Sequence, residues 1–367
     1  DLHSFPTRRS SDLRLIFFGL LIIAIGAFCQ SSCYVPINKI KDWSWESFWL
    51  TQGLFAYALF PLIGASLAVP SGESLFALIG EHSKEAWLTL FFGMLWGVGG
   101  LSVGLSMRYL GVALGQSLAL GTCAGLGVIL PPFIKPLFGK TLSESDHITM
   151  AVLVGVIVTL IGIAVIGLAG AMKSASLSEE EKREAVKDFN FPKGIAIALL
   201  AGFMSGCFAI GLSMGDNIRF ADSDPLFASL PATLVVTFGG FIVNAAYCLF
   251  QNQKNKTWGD YGKTSLYANN IFFCALAGLL WYSQFFGLSV GKGFLQESAT
   301  LLAFSWCILM ALNVTFSNVW GIILKEWKGC RQNVIVVLVI GLVILIASCF
   351  LPQLLREAGE FFQTVLV

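Results

Sequence analysis

Hydrophobic positions in this chain do not alternate with polar ones. They run in ten continuous stretches, five on each side of one charged segment: Leu15–Ile37, Phe48–Val69, Trp87–Met107, Val112–Phe133, Ile148–Ala171, Gly194–Met214, Ser229–Phe250, Asn269–Val290, Thr300–Leu324 and Val334–Leu351. A helix needs about 20 apolar residues to cross a hydrocarbon layer ~30 Å thick, and every stretch is near that length. Membrane-spanning strands show short alternating runs instead, so helices are predicted throughout. The expected fold is an all-α membrane protein with ten transmembrane helices.

The long hydrophilic connection is Lys173–Lys193, which mixes basic residues (Lys173, Lys182, Arg183, Lys187, Lys193) with acidic ones (Glu179, Glu180, Glu181, Glu184, Asp188). Ser178 followed by Glu181 spells a capping box and predicts a short surface helix. The organisation expected is a five-helix repeat over 14–172, a cytoplasmic linker over 173–193, a second five-helix repeat over 194–352 and a C-terminal tail over 353–367. Residues 1–13, with the string S-F-P-T-R-R-S-S-D-L, stand outside the pattern and read as a non-native tail.

Short matches link the two halves. G-M-L-W (Gly93–Trp96) and G-L-S-V-G (Gly100–Gly104) lie in the third span, G-L-L-W (Gly278–Trp281) and G-L-S-V-G (Gly287–Gly291) in the eighth. S-S-C-Y (Ser31–Tyr34) in the first span has its mate S-G-C-F (Ser205–Phe208) in the sixth. Each match falls five spans from its partner, and an odd number of spans turns the second copy over in the membrane. The pattern predicts two inverted five-helix repeats about a pseudo-two-fold axis, with a cavity at the midplane and alternating access.

Composition supports burial in lipid: 56% of residues are hydrophobic, 12% are charged, and there are 31 Phe and 38 Gly. Mean hydropathy is +0.76. A soluble protein could not hide that much apolar surface from water. The formal net charge of +1 gives no reason to expect nucleic acid. Charge matters through placement: loops after the odd-numbered spans hold 14 Lys and Arg against 7 on the other side. The richer side is assigned to the cytoplasm, which puts both termini in the periplasm.

The nine Cys sit almost wholly in apolar stretches. Cys29 and Cys33 share a helix face, but no third ligand stands near them, so they read as small apolar residues. No metal and no cofactor are expected. Most glycines within the spans read as close-packing positions. Pro36, Pro61, Pro131, Pro132 and Pro231 lie near span ends, where they bend or stop helices.

Polar groups inside the spans point to function, because each needs a partner in a dry environment. The candidates are Gln30 and Ser31, Ser102, Gln116 and Ser117, Asn244, Gln284, Asn313 and Asn318. Taken singly, each also suits an interhelical hydrogen bond. Together with Trp96, Trp281 and Tyr282 they form a set suited to a sugar: amides and hydroxyls bond to hydroxyl groups, and an aromatic face stacks on the apolar face of a pyranose. The substrate-binding set is Gln30, Ser31, Trp96, Ser102, Gln116, Trp281, Tyr282, Gln284 and Asn313. No acid lies mid-span. Arg108, Asp216 and Glu297, at span ends, are the proton-coupling candidates, and His147 reads as a surface residue. No nucleophile stands beside a base, so an intramembrane enzyme is not expected.

The chain resembles the L-rhamnose/proton symporter family of the drug/metabolite transporter superfamily. The resemblance begins at K-I-K-D-W-S-W-E (Lys39–Glu46) and continues through M-R-Y-L-G (Met107–Gly111), N-K-T-W-G-D-Y (Asn255–Tyr261), W-Y-S-Q-F-F (Trp281–Phe286) and L-K-E-W-K-G (Leu324–Gly329). It implies a ten-helix inverted-repeat carrier in the bacterial inner membrane that moves a deoxysugar inward with a proton. The chain departs from the family at L-L-A-F-S-W-C-I-L-M (Leu301–Met310), where Leu302 and Leu309 stand in place of an Asp and a His. It also has Gly100 and Ser102 where enterobacterial members carry Asn-rich polar residues.

Three readings follow. The first is a secondary carrier of L-rhamnose or a related deoxysugar, driven by proton symport. The second is a proton-independent facilitator or exporter of another small metabolite. The third is a non-transporting membrane sensor or scaffold, for which the 21-residue linker is too short an output domain. Lys39, Lys41, Trp43, Trp45 and Arg108 are expected to anchor the cytoplasmic interface and not to touch substrate. The partners expected are a small sugar, protons and the lipid bilayer.

Overall fold

The computed structural model describes residues 5–110, 112–176, 190–325 and 327–365. Among them no strand occurs, and ten helices are long and apolar enough to cross a membrane. They are α1 (Leu13–Ile37), α2 (Trp45–Ser66), α3 (Ser83–Met107), α4 (Gly115–Phe138), α5 (Met150–Ala175), α6 (Pro192–Met214), α7 (Leu230–Asn255), α8 (Thr264–Phe294), α9 (Ala299–Ile323) and α10 (Gln332–Gly359). Each falls on one of the ten apolar stretches. The capping box at Ser178 and Glu181 lies outside the described residues.

The widest departures from the hydropathy reading are in the first and last helices. The first helix is continuous over Phe5–Ser32, so its backbone starts before the apolar run does. The last is continuous over Gln332–Val365 and runs through Pro352 instead of stopping at Leu351. A proline inside a helix costs one backbone hydrogen bond and needs room for its ring. Gly155 on α5 supplies that room, because the Pro352 ring occupies the place where a Cβ would stand.

The chain forms two compact units, residues 1–98 with 211–297 and residues 99–210 with 298–367. Each draws on both halves of the sequence, and α3 and α6 each contribute to both units.

In the first unit α1 runs along α8, and α2 packs on α7 and α8. The α1–α8 approach is close because small residues meet: a Cβ on Gly26 would stand 3.2 Å from Gln284 Cα and 3.3 Å from Gly287 Cα. In lipid, such backbone proximity replaces the hydrophobic drive that holds helices together in water. A buried apolar cluster of Ala65, Leu75, Leu78, Ile218, Phe220 and Leu234 closes one end of this unit.

In the second unit α5 packs chiefly on α10 and also on α4, while α9 touches α4, α5 and α10. The helices are pinned by polar contacts. Thr159 Oγ1 donates to Ser348 Oγ at 2.9 Å, and the Trp306 indole N–H donates to the Cys123 carbonyl at 3.2 Å. Trp306 also stacks on Phe208, with centroids 5.5 Å apart. All nine cysteines are free thiols.

Candidate substrate site

Within the first unit, α2 changes pitch. Phe55–Leu59 is a π-helical turn set between Trp45–Leu54 and Phe60–Ser66. Pro61 is the physical reason: it has no N–H to give the Tyr57 carbonyl, and its ring crowds that carbonyl, so the regular i→i−4 ladder cannot pass. The turn delivers the Tyr57 ring edge-on to Trp281 at 4.5 Å and to Trp96 at 5.5 Å between centroids.

Trp96 and Trp281 lie 5.8 Å apart with 33° between their planes. Phe285, one turn beyond Trp281 on α8, closes the group at 5.2 Å from Trp281 and 5.9 Å from Trp96. Trp96 reaches this position because Gly240 on α7 has no side chain; its ring stands where a Cβ would. Tyr57, Trp96 and Trp281 are half-buried, whereas Phe285 is buried.

Polar groups flank the rings. Asn244 lies one turn past Gly240, with its Nδ2 against Gly53, and the Tyr282 hydroxyl lies against Gly64. Among the described residues, Asn244 Nδ2 and Tyr282 Oη are buried with no hydrogen-bond partner. Buried polar groups in native proteins are normally paired, so the unspent Asn244 donor next to Tyr57 and the unspent Tyr282 hydroxyl against Gly64 require an explanation. Gln284 is buried, and its Nε2 donates to the Trp281 carbonyl at 3.2 Å. On α1, Ser31 Oγ donates to the Ala27 carbonyl at 3.0 Å and lies 3.4 Å from Gln30 Oε1. The Ser31 hydroxyl is therefore bonded within its own helix.

The structure thus brings Trp96 and Trp281 into one cluster and adds Tyr57, which the pattern of apolar positions did not single out. Tyr282 makes no ring contact with either tryptophan among the described residues; it faces α2 and approaches Phe286 at 6.3 Å. The other sequence candidates, Ser102, Gln116 and Asn313, belong to the second unit. Ser102 and Asn313 are half-buried there and Gln116 is exposed. Asp216 and Glu297 are exposed, and the Arg108 side chain lies outside the described residues. Trp43 is not an interface anchor: it is buried, edge-on to Tyr261 at 5.5 Å and Tyr267 at 6.3 Å. Among the described residues, no group of three His, Cys, Asp or Glu could hold a metal ion.

Ten helices long and apolar enough to cross a membrane make this a multi-pass membrane protein. The chain belongs to the L-rhamnose-proton symport protein (RhaT) family, whose model it matches over residues 13–354. It is 29% identical over 342 residues to the L-rhamnose-proton symporter of Mannheimia succiniciproducens, covering 91% of this chain and 96% of that protein. It is 30% identical over 345 residues to the proteins of the same description from Salmonella typhi and Escherichia coli, again with 91% and 96% covered. The family is one of transporters and not of enzymes.

Proposed function

We propose that the protein carries L-rhamnose or a related deoxysugar across the bacterial inner membrane by proton symport with alternating access. The observation that supports this reading is the cluster of Tyr57, Trp96 and Trp281 with the unspent donor of Asn244 next to Tyr57, and a second unspent donor, Tyr282 Oη, on the same pair of helices α2 and α8, in a chain of this family. Half-buried indole faces suit the C–H face of a pyranose, and buried amide and phenol donors suit its hydroxyls. The cluster is neutral, which fits an uncharged sugar. Gln284, Gln30 and Ser31 line the same unit in this reading; Ser102, Gln116 and Asn313 remain candidates on sequence grounds.

In this reading the loops bearing residues 39–47 and 252–270 face the cytoplasm, and both termini are periplasmic, as the excess of Lys and Arg favours. Two inverted repeats of five helices would supply the alternating access. Reporter fusions after Val365 test the orientation.

The test of function is uptake of labelled L-rhamnose in a transporter-null strain. The wild-type chain is expected to restore uptake, and a Trp281→Ala, Gln284→Ala double variant to lose it at equal abundance. Uptake by that variant at the wild-type rate would remove both residues from the site.

A second reading is proton-independent facilitation. Leu309, at a position where the family resemblance implies an ionisable residue, is fully buried and apolar. Uptake insensitive to a protonophore would favour it, because symport stops when the proton gradient collapses.

A further inference from the structure

Two of the stretches that carry the family resemblance, Lys39–Glu46 and Asn255–Tyr261, come together at one end of the first unit, away from the aromatic cluster. The segment from Lys39 to Ser47 joins α1 to α2, and the segment from Asn252 to Asn270 closes α7 and opens α8. The two are bonded along their whole length. Asn269 Nδ2 donates to the Lys39 carbonyl at 3.1 Å. Asn270 accepts from the Lys41 N–H at 3.1 Å and donates to the Lys41 carbonyl at 2.8 Å. Asp260 accepts from the Ser44 N–H at 2.8 Å, from Ser47 Oγ at 2.9 Å and from the Lys263 ammonium at 2.7 Å. Glu46 Oε1 accepts from Asn255 Nδ2 and Thr257 Oγ1, both at 2.9 Å. Trp43 is closed beneath the joint.

We infer that this joint is a permanent clasp: the α1–α2 and α7–α8 connections stay fastened through the transport cycle, and the motif residues act by fastening them, not by binding sugar or carrying the proton. The inference rests on the transport reading above.

Three features carry it. The amide, carboxylate and hydroxyl side chains of the joint are already bonded within it, so a ligand would have to displace internal hydrogen bonds to reach them; the buried Trp43 indole N–H has no partner among the described residues. A gate needs two arrangements of similar free energy. Here opening would break bonds at Lys39, Lys41, Ser44, Glu46 and Ser47 together and expose Trp43. Burial raises the Asp260 carboxyl, but Lys263 and the Ser44 and Ser47 donors outweigh it and hold the group down to about 2. A proton carrier must instead change charge in the pH range where transport runs.

The test uses the full-length protein with Lys39→Cys and Asn269→Cys, and the matching single variants as controls. Oxidation, or a short bifunctional thiol reagent, links the pair. The linked protein is expected to take up sugar at the rate of the same protein before linking. Loss of uptake on linking, regained on reduction, overturns the clasp, as does failure of the pair to link by either route. Spin labels at the same two positions give a readout independent of flux. One distance, unmoved by L-rhamnose or by pH, is expected, and a second population overturns the clasp. If unlinked protein takes up no sugar while the label distance stays single, the transport reading fails and the clasp stands. An Asp260→Asn variant that keeps sugar counterflow but loses proton dependence would make Asp260 a carrier and overturn the assignment.

Discussion

Asn270 and Lys41, 229 residues apart, exchange two hydrogen bonds: the Lys41 N–H donates to Asn270 Oδ1 at 3.1 Å, and Asn270 Nδ2 donates to the Lys41 carbonyl at 2.8 Å. The side-chain amide thus satisfies both backbone groups of one residue, as a neighbouring strand would. Asn270 is fully buried, but Lys41 is exposed and the two bonds are part-buried, so water can replace part of what is lost. Asn270→Ala is expected to cost about 0.5–1.5 kcal/mol, the net worth of a hydrogen bond. A lowered midpoint of thermal unfolding in detergent checks it.

Pro61 sets the π-helical turn, and the turn sets Tyr57. In Pro61→Ala the restored N–H can donate to the Tyr57 carbonyl, and the helix is free to return to regular pitch. The ring then leaves its edge-on contact with Trp281. An aromatic contact of this kind is worth about 0.5–1.5 kcal/mol. The expected result is a KM for L-rhamnose raised about 2- to 12-fold with abundance unchanged. Tyr57→Phe, which keeps the ring, is the control. An unchanged KM in Pro61→Ala would show that the π turn does not position the site.

Much of this was legible in the sequence. All ten helices were, because lipid demands long continuous apolar runs and hydropathy reads length directly. The repeated G-x-L-W marked Trp96 and Trp281 as counterparts, but not that their rings meet. Tyr57 was not legible, since a single proline shifts which face of α2 it occupies, and an apolar count does not register a change of helical pitch. Gln116 is polar within a span, and the structure exposes it. Hydropathy fixes how long a helix is and leaves open which side faces its neighbours. The bonds of Asp260 and Asn270 were hidden for another reason. The motifs were spelled out, but the partner of each is set by which loops the topology brings to the same end.

A third test concerns the connection between α4 and α5. Lys135 Nζ lies 2.7 Å from Asp146 Oδ2, and their side chains are only 3% and 10% exposed. Ser143 adds its N–H and Oγ to the same oxygen, both at 2.7 Å. Burial raises the Asp146 carboxyl, but the Lys135 ammonium and the Ser143 donors more than offset this and hold it below its ordinary value. The pair is part-buried, and a hydrogen bond to a charged group is worth about 1.5–3 kcal/mol. Asp146→Ala is expected to destabilise by that amount, and Lys135→Met to cost less in that background than in the wild type. A double-mutant cycle on thermal unfolding measures both.

Asp260 provides a pH-dependent counterpart. Its folded-state value of about 2 lies below the ordinary 3.8, although burial alone would raise it. The groups that face it are Lys263, Ser44 and Ser47, with the Glu46 carboxylate near enough to repel it. A carboxyl depressed on folding contributes stability that is complete above its unfolded value and lost as pH falls through its folded value. The wild-type protein should therefore exceed Asp260→Asn in unfolding midpoint at neutral pH. That advantage should shrink as pH drops from about 4 towards about 2. Above pH 5 the difference should be flat, because the carboxylate is ionised in both folded and unfolded chains there. Thermal unfolding of both proteins in detergent between pH 2 and pH 7 decides the matter. A gap that instead changes between pH 5 and pH 7 would mean that Asp260 exchanges its proton in the working range, and its place in a fixed joint would be lost.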